Sequence, residues 1–179
     1  MNSTARVRYR AAQFFSALFA TISDDDLSLV DDILGHNPAA LNLFRRMSTS
    51  DRRHAIAVAK TLLAAGHTDR QLLQAALLHD VAKSLGQPIV HRVLVVLLDK
   101  CCPALLKRLA NAPLDCARWR RPFVVSERHP QIGAAWAKEA GCAPLVVQLI
   151  ARHQQKPVAH PVSTAAKFHA ALYAADNEN

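Results

Sequence analysis

A chain of 179 residues with a formal net charge of +8 is long enough to bury one core without staples. About half of its residues are apolar, only 5 are glycine and aromatics are few, a balance that disfavours a turn-rich sandwich or barrel. The four cysteines form no CxxC, which argues against a zinc ribbon or a thioredoxin-type site; reduced thiols in a cytoplasmic protein are expected.

Near the start, Arg6, Arg8 and Arg10 precede an apolar stretch that Gln13 and Ser16 interrupt and Asp24-Asp25-Asp26 follows, so an amphipathic helix is expected rather than a signal peptide. Ser23 predicts the N-cap of a helix over 24–34 ended by Gly35, and Asn37-Pro38 starts a short one. Ser50 and Thr68 are expected to cap helices over about 51–65 and 69–83, closed by Gly66 and Gly86. Pro88 and Pro103 open segments over about 88–100 and 104–111. The stretch from Pro113 to Pro122 reads as a loop, with Phe123-Val124-Val125 extended after it. Pro130 opens a helix to about Ala140, Pro144 one reaching His153, and 162–175 form the last.

No strand alternation persists, and the longest central apolar run, Val93 to Leu98, is too short to cross a bilayer. The expected fold is all-α: a helical bundle over 49–179, an N-terminal helical extension over 1–48, and a basic, apolar helical insert at about 88–126. Between 91 and 128, eight basic residues face Asp99, Asp115 and Glu127, an excess of +5. Such an excess suits polyphosphate or an anionic membrane surface. With no stacking platform or binding motif beside it, specific nucleic-acid recognition is not expected.

The run Leu72-Leu73-Gln74-Ala75-Ala76-Leu77-Leu78 predicts a buried helix that delivers His79 and Asp80 side by side. A buried carboxylate needs a cationic partner. Lys83, three residues on, is one candidate. A metal is another, because His54 precedes the pair and His129, His153 and Asp176 follow it, each near a helix end. His36, His67, His91 and His160 fall in turns or beside proline breaks and are expected in solvent, while His169 shares a helix face with Asp176 as a second-layer candidate.

The order His54, His79-Asp80, His129, His153, Asp176, with HDVAK at 79–83, RHPQIGA at 128–134 and LYAAD at 172–176, resembles the HD superfamily of metal-dependent phosphohydrolases. The resemblance covers 49–179. It implies two divalent transition-metal ions, iron or manganese in first place: one held by His54, His79, Asp80 and Asp176, the other sharing Asp80 with His129 and His153. Asp80 and Lys83 are the implied catalytic residues, Lys83 neutralising phosphate charge beside hydroxide held between the ions. Gly133 would let the His129 helix pack closely. In layout the chain is most similar to bacterial HD proteins that hydrolyse diadenosine tetraphosphate, so a phosphorylated small molecule such as a nucleotide is the implied substrate.

Two departures put that substrate in doubt. Gln154 stands where those enzymes usually carry Thr, and the stretch from Asp80 to His129 is longer. The cyclic-dinucleotide phosphodiesterase signatures, a His-His pair and GYP, are missing. The alternative is a non-catalytic HD-type signalling or scaffold module that binds a nucleotide or a protein.

Overall fold

A computed structural model describes residues 21–86 and 89–179; the Arg-rich start, Pro88 and the side chains of Ile89, Val90 and Arg92 lie outside the description. Among the described residues every element is helical: α1 Asp24–Leu34, α2 Pro38–Arg45, α3 Thr49–Ala64, α4 Arg70–Leu78, a 3₁₀ turn Val81–Leu85, α5 Ile89–Cys101, α6 Pro103–Ala110, α7 Arg121–Glu139, α8 Pro144–Arg152 and α9 Thr164–Glu178. The expected all-α bundle is what the chain forms.

Local chemistry sets the helix starts, and it moves two expected caps. Ser23 caps α1 as anticipated, accepting from the Asp26 amide while its own amide donates to the Asp26 carboxylate, both at 3.2 Å. Helix α3, however, begins at Ser48 rather than Ser50. The Ser48 hydroxyl accepts from the Asp51 amide at 3.2 Å and donates to the Asp51 carboxylate at 2.6 Å, so the acid three residues on decides between two serines. Asp69 likewise displaces Thr68, because its carboxylate accepts from both Gln71 and Leu72.

Two larger expectations need correction. The helix predicted over 69–83 ends at Leu78; Asp80, at φ −102° and ψ 8°, leads into the 3₁₀ turn, and Gly86 at φ 108° ends it in a conformation that L side chains resist. The other error concerns Pro130. It opens no helix: Phe123, Val124 and Val125 are helical and buried, and α7 runs unbroken through the proline to Glu139. At α7's far end, Asn37 from the α2 cap donates to the Ala140 carbonyl at 2.9 Å.

Helix α4 lies at the centre, with all seven residues from Leu72 to Leu78 buried. One apolar core gathers side chains from α1, α2, α3, α4, α7, α8 and α9, among them Leu34, Phe44, Leu62, Leu149 and Leu172. One close approach is eased by glycine. A Cβ on Gly133 would stand 3.3 Å from a Val81 methyl and 3.4 Å from an Ile150 methyl, so a side chain there would push the 3₁₀ turn's Val81 methyl aside by a few tenths of an ångström where α7 meets it and α8. No helix among the described residues is long and apolar enough to cross a membrane.

Helices α5 and α6 form a hairpin against α7, joined to it by the 111–120 loop. Arg120 anchors this loop: its guanidinium donates to the carbonyls of Leu109, Arg108 and Asn111 at 2.8, 2.7 and 3.0 Å. Arg121 donates to Leu114 at 2.9 Å. Arg120→Ala should therefore destabilise the protein by about 2 kcal/mol in urea unfolding, since three carbonyls lose a charged donor. Arg118→Ala, at an exposed site, should change stability by less than about 0.5 kcal/mol; equal losses would remove the anchoring role.

Candidate metal centre

The break after α4 aims His79 and Asp80 into the bundle, where both are fully buried. His129 arrives from the middle of α7 and His153 from the C-terminal end of α8, each also buried. His54 comes from the second turn of α3 and Asp176 from the last turns of α9, both half-buried. Lys83, on the 3₁₀ turn, completes the set. All seven side chains that the sequence singled out stand together.

Their contacts run through Asp80. Its Oδ1 lies 3.2 Å from His129 Nε2 and 3.7 Å from His153 Nε2; its Oδ2 lies 2.5 Å from Lys83 Nζ and 3.5 Å from His79 Nε2. On the far side of His79, Asp176 Oδ1 is 3.3 Å from His79 Nε2 and 2.9 Å from His54 Nε2. Of the two partners expected for Asp80, Lys83 is in place on Oδ2, and imidazole nitrogens that could hold a metal surround the carboxylate.

Sequence reading missed what aims the rings. Nδ1 of His79, His129 and His153 lies 2.8 Å from the carbonyl three residues earlier, of Ala76, Ser126 and Ile150 respectively. A carbonyl only accepts, so each Nδ1 carries the hydrogen and each neutral ring turns a lone pair at Nε2 toward the centre. For His129 the free carbonyl has a visible source. Pro130 has no N–H to give to Ser126, and His129 takes the vacant acceptor. A signal existed in the His-Pro dipeptide, although it reads as a helix start until the helix is seen to pass through it. Pro130→Ala supplies a competing amide donor to Ser126, and should weaken metal binding about tenfold by titration while leaving the helix intact; unchanged affinity would mean that the ring is held by other contacts.

With hydrogens on Nδ1, the convergence is short of protons. His129 Nε2 and His153 Nε2 are 3.3 Å apart, lone pair toward lone pair when both rings are neutral. His79 Nε2 and Asp80 Oδ1 are buried and make no hydrogen bond, although charged groups surround them. Inward-facing donors that do not satisfy one another are what a cation requires. His54, His79 and Asp80 form one group with ligand atoms within 4.8 Å of one another, Asp80, His129 and His153 a second, and His79, His153 and Asp176 a third. Asp80 belongs to the first two, and these buried groups can hold a metal ion.

Charge without metal is balanced by few protons. Burial pushes the His79 imidazole down, but the Asp80 carboxylate and then Asp176 overcome this and raise it to about 10. Burial would raise Asp80, yet His79 and Lys83 hold it well below the carboxylate range. Asp176 is likewise held low against burial by its hydrogen bond with His54 and then by the charge on His79. His153 goes the other way, pushed to about 3 by burial and then by the charge on His79. The two carboxylates are therefore faced by the Lys83 ammonium and the protonated His79 imidazole.

The remaining histidines divide. His169 is buried and hydrogen-bonds through Nε2 to the Arg152 carbonyl at 2.7 Å, bracing the end of α8 next to His153, in keeping with a second-layer place. Two of the four expected in solvent are engaged: His36 lies 3.1 Å from the buried Gln74 amide, and His91 packs its ring against Phe123 with Nδ1 buried. His91 turns inward because it shares the α5 face that meets α7. All four cysteines are free. Compared with protein-family models, curated proteins and solved structures, the chain matches none.

Proposed function

We propose that this chain is a metal-dependent phosphohydrolase of the HD type, cleaving a phosphate ester or anhydride, with a nucleotide as the substrate class. The observation that carries the reading is the convergence of imidazole Nε2 atoms around a shared carboxylate. His54, His79, Asp80 and Asp176 would hold one ion, and Asp80, His129 and His153 the other. Nitrogen-rich ligation with two carboxylates suits iron or manganese and suits magnesium poorly. A bound cation pair supplies Lewis acidity and an activated water. The protein's own groups do the rest. Asp80 links the two halves of the centre, and the carbonyl-braced rings keep their donors fixed without rearrangement. Lys83 holds Asp80 ionised through one of its three protons and presents the others toward phosphoryl oxygens.

The test is metal analysis of protein purified without chelator, joined to a panel of nucleotides and aryl phosphodiesters with added Mn²⁺ or Fe²⁺. Turnover that depends on metal is expected. Tight metal without turnover on any phosphate compound would overturn the hydrolase and favour a ligand-binding module.

A further inference from the structure

We propose that the α5–α6 hairpin is a docking surface for an anionic lipid bilayer, a property independent of the hydrolase reading. Among its described residues, helix α5 carries apolar side chains outward as well as inward. His91, Val95 and Leu98, at i, i+4 and i+7, are its half-buried residues and face the bundle, whereas Val93, Val96 and Leu97 are 53, 54 and 53 % exposed. Leu94 is exposed beside them, and no described side chain of the helix is fully buried. Solvent faces of helices are ordinarily polar; here the outer face carries Val93, Val96 and Leu97 among its described residues. The same layer exposes Leu105 on α6 and Trp119, 62 % exposed, in the following loop. Tryptophan favours the boundary between water and lipid.

Charge selects the occupant. Lys100 lies in the apolar stripe, one helical turn beyond Leu97 and Val96, and Lys107, Arg108 and Arg118 are exposed around it. Asp99, the single acid of α5, falls to the side of the stripe. Arg120 and Arg121 are engaged by backbone carbonyls, so the available cations here are those of the hairpin together with Arg118 in the loop after it. A second copy of the chain is a poor occupant: a two-fold contact on this stripe would set Lys100 and its basic neighbours against themselves, and interface centres are depleted of lysine. An apolar stripe with basic surroundings matches acyl chains beneath anionic headgroups.

Co-sedimentation of the full chain with phosphatidylcholine vesicles, with and without about 30 % phosphatidylserine, tests this. Binding to the anionic vesicles is expected, weakening as salt rises. Val93→Ser with Leu97→Ser should lower it roughly tenfold, with thermal unfolding and metal content unchanged. Should that variant unfold, Lys100→Glu with Lys107→Glu, both at exposed sites, probes the same surface and should also lower binding roughly tenfold. Absence of wild-type binding to anionic vesicles overturns the proposal. So does binding that the substitutions leave unchanged, or a dimer in sedimentation equilibrium that the serine pair dissolves.

Discussion

Asp80→Ala is expected to abolish both metal retention and turnover, with kcat falling about a thousandfold or more, or ~4 kcal/mol in barrier. Asp80 is the one carboxylate that both groups of ligand atoms share, so its loss removes a donor from each at once. The stability of the metal-free protein should fall as well. His79 and Lys83 now balance a buried negative charge, and removing it leaves Lys83 without its partner and His79 with Asp176 alone, a change that costs about 3–5 kcal/mol. Asp80→Asn separates the two effects. It retains the size of the side chain and lacks its charge, so turnover should be lost with a smaller change in unfolding. Metal content by mass spectrometry, kcat on the best substrate and urea unfolding report the three quantities. Retention of two tightly held ions in Asp80→Ala would exclude the shared-carboxylate arrangement.

Stripping the metal should make stability depend on pH in a way that the loaded protein reverses. His79 is raised from 6.5 to about 10, so in the metal-free protein its contribution is fully present below pH 6.5 and is lost as pH rises toward 10. His153 is lowered to about 3, so the unfolded chain takes up a proton that the folded one refuses, and stability falls as pH drops from 6.5 toward 3. Metal-free protein should therefore be most stable near pH 6.5. Metal binding must displace the His79 proton, so affinity should rise up to tenfold per pH unit below about 10. The gap in Tm between loaded and chelated protein should widen between pH 6.5 and 9, and calorimetry in buffers of different ionisation enthalpy should record about one proton released. Parallel Tm profiles, with no proton release, would show that His79 is not a ligand.

Much of this centre is readable from the residues in order. His79 and Asp80 are marked as a pair by the apolar run before them, and His54, His153 and Asp176 stand near helix ends that glycine, proline and serine mark, whereas His129, expected just before a Pro130 helix, lies in the middle of α7. The helical class follows from the same punctuation. What could not be read are competitions between neighbours. Ser48 prevails over Ser50 because Asp51 answers it, and α7 continues through Pro130 because His129 occupies the carbonyl that the proline leaves open. The stop after Leu78 depends on burial of Asp80 among groups distant in sequence. Arg120 has the composition of a ligand-binding arginine, and only the folded loop reveals three carbonyls in its reach.

The carbonyl braces on His79, His129 and His153 bear on how quickly the centre loads. Each brace reaches back three residues along the local backbone, so the aim of the ring is settled by a short stretch of chain. The folded apoprotein thus holds donors with little rotamer freedom left to surrender when an ion arrives. Loading should then proceed in a single phase, at a rate proportional to ion concentration, without a slow rearrangement afterwards.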